Sequence, residues 1–292
     1  GTFLMLRVDP SPTTDRLARV EDAMLAAALA DLDDADLVAA ARQHLAGGSR
    51  HRARLVLELG DALGAPERST LGVATCVELL HAASLVHDDL QDGARTRRGA
   101  PSVAAAYGDD TALLLGDVLI AAAFEAVAAL PHADGAGTPV RRVRRAVAAT
   151  ASGQHRERAH AHQGDLEHYT AIAAAKSAPL FALPFELALD EAGFGAAIAQ
   201  ARRAAFDFAV GYQLRDDLDD LADDAARGEA NGVLVLEDQG YARPAAVAAI
   251  ADLARAHLAD AVAAGARLPR DAGAPLVRLA TALRDEVVTT WT

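Results

Sequence analysis

The stretch VHDDLQDGARTRRG, residues 86–99, sets Asp88, Asp89 and Asp92 just ahead of Arg95, Arg97 and Arg98. On a helix, positions four apart share a face, so Asp88 and Asp92 crowd like charges together and call for a cation. Gly93 is a natural helix stop, which lets the arginines turn back toward whatever the carboxylates hold. The stretch YQLRDDLDDLADD, residues 212–224, repeats the spacing with Asp216, Asp217 and Asp220, among apolar Phe206, Phe208, Val210, Leu214, Leu218 and Leu221. Two such helices facing each other would form a hard-oxygen cage. Oxygen-only ligands with room for water favour Mg²⁺, which binds through a few carboxylates plus substrate phosphates. One acidic cluster alone reads equally well as a solvated helix face; a matched pair on apolar helices favours the cation. A calcium loop of the EF-hand kind is a poor fit, because these acids lie within helical pattern.

The elements that must carry these residues read as helices. Aromatic residues are 4 % of the 292 and hydrophobic residues 52 %, with alanine abundant, a composition of helices with enough apolar surface for a core. Apolar periodicity predicts ten helices, over 14–30, 35–45, 50–63, 67–91, 109–129, 140–161, 170–191, 196–224, 241–263 and 273–290. The Gly- and Pro-rich breaks between them are too short for domain linkers, so residues 1–292 read as one all-α domain. No glycine pattern of a P-loop or dinucleotide-binding turn follows a strand. The net charge of −13 argues against a nucleic-acid partner. A lone Cys76 forms no internal disulfide, which fits a reducing cytoplasm. GTFLMLRV at the start lacks the features of a secretory leader. The apolar run 111–130 carries Asp117 and Glu125 and reads as a buried core helix, not a transmembrane segment. His155, His160, His162 and His168 are dense, but helical spacing scatters them, and they read as a solvated helix end in preference to a zinc site.

HAASLVHDDLQDGARTRRGAPS and GYQLRDDLDD resemble the two aspartate-rich motifs of the trans-isoprenyl diphosphate synthase family, and the resemblance runs from GGSRHR at residue 47 through the second acidic cluster. It implies an antiparallel helical bundle of the isoprenoid synthase type around a deep central apolar cavity, as a homodimer. It implies three Mg²⁺ ions per active site, held by Asp88, Asp92 and Asp216 with Asp89, Asp217, Asp220 and Glu157 in support. The substrates implied are an allylic prenyl diphosphate and isopentenyl diphosphate. Arg97 matches the arginine on the allylic diphosphate, and Arg98, Arg52 and His81 match positions on isopentenyl diphosphate; guanidinium forks suit such bidentate anion contacts. Lys176, the only lysine in the chain, sits in AKSAPLF, which resembles a Lys-Thr motif that places Lys176 and Ser177 at the allylic diphosphate. Gln154 and Gln213 match glutamines near the metals and the cationic carbon.

The chain departs from the family pattern in two places. The opening GGKRxRP is GGSRHRA here, so Ser49 stands at the position of a lysine on isopentenyl diphosphate, with Arg50 a candidate to bend in instead. After the second cluster, a lysine-bearing lid segment becomes RGEANGVLVLED, over 227–238, without lysine. Two other readings follow: a terpene cyclase that ionises a prenyl diphosphate without isopentenyl diphosphate, and a noncatalytic subunit, which intact aspartate motifs disfavour. In the family the growing tail runs past the residues before the first motif. Ala83 and Ser84 are small there, which implies a product of geranylgeranyl length or longer, with Ile120 and Phe124 as a floor.

Overall fold

The computed structural model describes residues 12–131, 138–160 and 164–291, save the side chains of Pro12 and His160; the GTFLMLRV start and His162 lie outside them. The chain divides into two compact units, Gly1–Leu57 with Pro66–Pro131, and Glu58–Ala65 with His132–Thr292. Among the described residues both are helical apart from one antiparallel ribbon of two two-residue strands in the first unit.

The first unit contains α1 (Pro12–Leu29), α2 (Ala35–Leu45), the start of α3 (His51–Leu63), α4 (Glu67–Asp92), the antiparallel strands β1 (Thr96–Arg97) and β2 (Ala100–Pro101), α5 (Val103–Tyr107) and α6 (Asp109–Ala128). Side-chain caps set several starts: Asp34 accepts from the backbone N–H groups of Asp36 and Leu37, each at 3.0 Å, and Ser102 accepts from Ala105 at 3.2 Å. Buried Glu78 on α4 accepts the Ala53 N–H of the first turn of α3 at 2.8 Å, satisfying its charge with a helix N-terminus. α4 and α6 pack along each other. Contrary to expectation, α6 is not a buried core helix: Leu115, Leu119, Ala123 and Val127 face inward, but Leu113 and Leu114 are about half exposed (48 % and 50 %). By length and composition α4, α6 and α8 (Leu166–Glu191) could each cross a membrane; most of the apolar window of α4 and α8 is buried within the protein, and only 39 % of that of α6.

The second unit contains the end of α3, α7 (Thr138–His160), α8, α9 (Ile198–Asp219), α10 (Leu221–Arg227), α11 (Gly232–Asp238), α12 (Arg243–Gly265) and α13 (Ala274–Trp291). α8 begins four residues before the predicted start because Asp165 caps it, accepting from the His168 N–H at 2.9 Å. Fully buried Phe208 on α9 meets Phe181 of α8 edge-on at 5.0 Å. Glu186 and Asp190 of α8 are buried but paired: Arg202 forks onto Glu186 at 2.7 and 2.8 Å, and Arg142 bonds Asp190, tying α7, α8 and α9 together. At Gly153 an added Cβ would lie 2.4 Å from the Ala175–Lys176 backbone, so only glycine lets α7 approach α8 there.

The long helices fall where periodicity predicts them. The predicted helix 196–224 is two, because Asp220 leaves helical geometry (φ −94°, ψ 5°) and α10 starts after it. α5, α11 and the ribbon are too short to show a period.

Candidate active site

At the end of α4 the three aspartates separate by burial. Asp88 is half-buried and Asp92 exposed, whereas Asp89 is only 3 % exposed and turned away. Gly93 ends the helix in left-handed geometry (φ 64°), and Ser102 Oγ donates to the Ala94 carbonyl at 2.6 Å, fastening the ribbon beside the helix end. That fastening brings Arg97 back onto Asp89, Nε to Oδ2 at 2.7 Å and Nη2 to Oδ1 at 2.5 Å. Arg97, expected on a diphosphate, and Asp89, expected as metal support, thus bond each other. The hydrogen bonds that Arg97 donates to Asp89 raise the pKa of the guanidinium further.

Other cations gather near this helix end. The Arg98 guanidinium lies over Gly48, 3.1–3.3 Å from where a Cβ would stand, so the ribbon and the GGSR loop meet. His81 is pushed down to about 3, first by burial and then by Arg52, Arg98, Arg97 and His44 around it. It is a neutral imidazole among arginines at pH 7. His44, which sequence reasoning missed, is lowered mainly by burial and hydrogen-bonds the Ala82 carbonyl through Nε2 at 2.7 Å. No motif flags it; only the fold puts it beside His81. Ser49 is exposed. Arg50 does not take over from the missing lysine: its guanidinium is turned inward onto Glu21 at 3.0 Å and the Leu45 carbonyl at 2.5 Å. Ala83 is buried, and half-buried Ser84 donates its hydroxyl to the His81 carbonyl at 2.8 Å.

In the second unit, the α9 end shows the same division. Asp216 is half-buried; burial raises its pKa, Arg215 opposes this, and Asp220 and Asp219 add to the rise by like charge. Asp220 and Asp219 are exposed, while Asp217 is 2 % exposed. Asp217 accepts from Tyr169 Oη at 2.9 and 2.8 Å, from Gln213 at 2.9 Å and from the Gly232 N–H at 2.9 Å. Burial pushes it up to about 6 against those donors. Gln213, expected near the cationic carbon, bonds Asp217. Lys176 Nζ sits 2.7 Å from Glu157 Oε2, so the expected diphosphate lysine and the expected metal carboxylate are paired, each about a third exposed. Half-buried Gln154 lies one turn before Glu157 on α7, and half-buried Ser177 follows Lys176.

Among the described residues no three His, Cys, Asp or Glu groups converge to hold an ion by themselves. Each helix end offers a partial oxygen shell, Asp88 with Asp92 and Asp216 with Asp220. Such a shell suits a hard cation that keeps waters and takes phosphate oxygens, so the residues fit Mg²⁺. A separate cavity of about 640 Å³ between α7, α8 and α9 contains none of the predicted site residues.

Comparison with known proteins shows the family of the chain. Residues 35–235 match the family model described as Polyprenyl synthetase. The short chain isoprenyl diphosphate synthase of Methanothermobacter thermautotrophicus is 38 % identical over 114 residues, 38 % of this chain and 35 % of that protein. The matched stretches span about a quarter to a third of the length of the first curated relatives. The fold is similar to that of geranylgeranyl pyrophosphate synthetase from Geoglobus acetivorans (TM-score 0.79, 24 % identity, 93 % of this chain and 98 % of that one). It is also similar to polyprenyl synthase from Caulobacter crescentus CB15 complexed with calcium and isoprenyl diphosphate (TM-score 0.76, 25 % identity, 92 % and 94 %).

Proposed function

Since the chain belongs to the polyprenyl synthetase family, we propose that it is a Mg²⁺-dependent prenyltransferase that condenses an allylic diphosphate with isopentenyl diphosphate to a longer trans-prenyl diphosphate. The observation that carries this reading is the pairing, in the first unit, of two different anion-handling devices. The Asp88–Asp92 face would handle a diphosphate through cations, and Arg52, Arg98 and His81, which lie close enough to influence one another, would handle one directly. Two diphosphate substrates need two such places.

When bound, magnesium would neutralise the charge that develops on the departing allylic diphosphate. The side chains do the rest. Arg98 and Arg52 orient isopentenyl diphosphate, and neutral His81 donates a hydrogen bond to it without adding charge. In the first unit Arg97 exchanges its carboxylate partner for phosphate oxygens of the allylic substrate. Ala83 and Ser84 leave room for a tail of geranylgeranyl length or longer. The double bond of isopentenyl diphosphate would attack the allylic carbon as its C–O bond to diphosphate breaks. The departing diphosphate would take the proton that the resulting cation loses, so no side-chain base is required.

The family match spans parts of both units, which supports treating the chain as one functional domain. Half-exposed Leu113 and Leu114 on α6 support a homodimer, and a free buried Cys76 supports a cytoplasmic location. A cyclase is the second reading, favoured by Ser49 and by an Arg50 already engaged elsewhere. Thermal stabilisation tests the enzyme reading: pyrophosphate with Mg²⁺ should raise the melting temperature where neither does so alone. No shift with both together would contradict it.

A further inference from the structure

The buried knot around Asp217 joins three elements that the sequence motifs do not connect. Tyr169, on the first turn of α8 and 5 % exposed, donates to both Asp217 carboxylate oxygens. Asn231, 0 % exposed, donates through Nδ2 to the Asp217 carbonyl at 2.7 Å and to Asp224 Oδ2 at 2.9 Å, while its Oδ1 accepts the Val233 N–H that starts α11. The next residue, Gly232, donates its own N–H to Asp217 Oδ2, and a Cβ there would come 3.1 Å from that oxygen. The RGEANGVLVLED segment, read from sequence as an altered lid, is therefore in part a clasp on the second acidic cluster.

Locking Asp217 inward fixes the rotation of the last turn of α9. On a helix, fixing one side chain fixes the directions of its neighbours. Resting on the functional reading above, we propose that Tyr169 and Asn231 are positioning residues for the cation at this helix end. They hold Asp217 as the inward anchor and leave Asp220, with Asp216, whose Oδ1 accepts from Arg215 Nη1 at 3.0 Å, as the two carboxylates for Mg²⁺. The partners that orient a cation's ligands typically govern its affinity by about ten-fold or more.

Tyr169→Phe keeps the ring in the cluster it shares with Leu214, Leu218, Val233 and Ile250 and removes only the hydroxyl. The full chain is titrated with Mn²⁺ in the presence of pyrophosphate, reading free Mn²⁺ by electron paramagnetic resonance, beside the Mg²⁺ dependence of turnover. Tyr169→Phe and Asn231→Ala should each weaken Mn²⁺ binding about ten-fold. They should raise the half-saturating Mg²⁺ concentration similarly, with the rate restored at high Mg²⁺. Exposed Tyr241, mutated to Phe, should change neither. Wild-type affinity in both variants would overturn the proposal, as would tighter binding, which would mean that the clasp withholds Asp217 from the metal. A lower melting temperature with unchanged Mn²⁺ affinity would mean a structural role only and would also overturn it. If the wild-type protein itself bound no Mn²⁺ with pyrophosphate, the functional reading would fail instead.

Discussion

Asp89→Asn removes the charge that Arg97 holds and leaves a side chain of nearly the same volume. Asp89 is 3 % exposed and makes two hydrogen bonds to one guanidinium. A hydrogen bond to a charged group contributes about 1.5–3 kcal/mol. Asparagine keeps one acceptor, so one such bond is lost. The Arg97 side chain is 34 % exposed, so water compensates part of that loss. The net cost is about 2 kcal/mol of the first unit's stability. With a urea slope of about 2 kcal/mol per molar, the midpoint should fall by about 1 M. A double-mutant cycle with Arg97→Gln isolates the pair, and its coupling should be on the order of 1 kcal/mol or more. Coupling indistinguishable from zero would refute the assignment of Asp89 to structure. Asp89 would then be as available to a cation as Asp88.

Four further outcomes follow from the same geometry. Ser49→Lys restores a cation beside the GGSR loop that Arg50 does not supply, and should lower the KM for isopentenyl diphosphate several-fold; an unchanged KM removes Ser49 from that subsite. Ala83→Phe should shorten the longest product, and an identical product distribution would show that the tail does not pass Ala83. Leu113→Arg with Leu114→Arg puts charge on the exposed side of α6 and should convert the proposed dimer to monomers by light scattering, with an unchanged mass removing α6 from the proposed interface. His81 should show no protonation in NMR titration until the pH nears about 3. Because its folded pKa lies below the unfolded value near 6.5, its contribution is complete above about pH 6.5 and is lost as pH falls toward 3. His81→Gln should flatten that part of the stability profile, and an unchanged profile would contradict it.

The parts of this protein that repeat along the chain were legible in the amino-acid order. The long helices show their period over several turns, and the two acidic clusters show theirs in one turn each. The parts that depend on choice of partner were not legible. Six motif carboxylates look alike in sequence, yet burial sends Asp89 and Asp217 inward and leaves Asp88, Asp92, Asp216 and Asp220 half-buried or exposed. Arg50 follows the GGS turn as the motif requires, but its reach to Glu21 depends on how α1 lies in the first unit. α11 is one short turn pair set by Asn231 and has too few residues for a period to show. His44 has no motif at all, and its meaning comes from the nearness of His81.

The most direct test incubates the purified protein with Mg²⁺ and an allylic diphosphate, with and without isopentenyl diphosphate, and identifies the products by mass. A longer prenyl diphosphate that forms only when isopentenyl diphosphate is present is the predicted result. A hydrocarbon or alcohol released without isopentenyl diphosphate, or no product in either mixture, would contradict it.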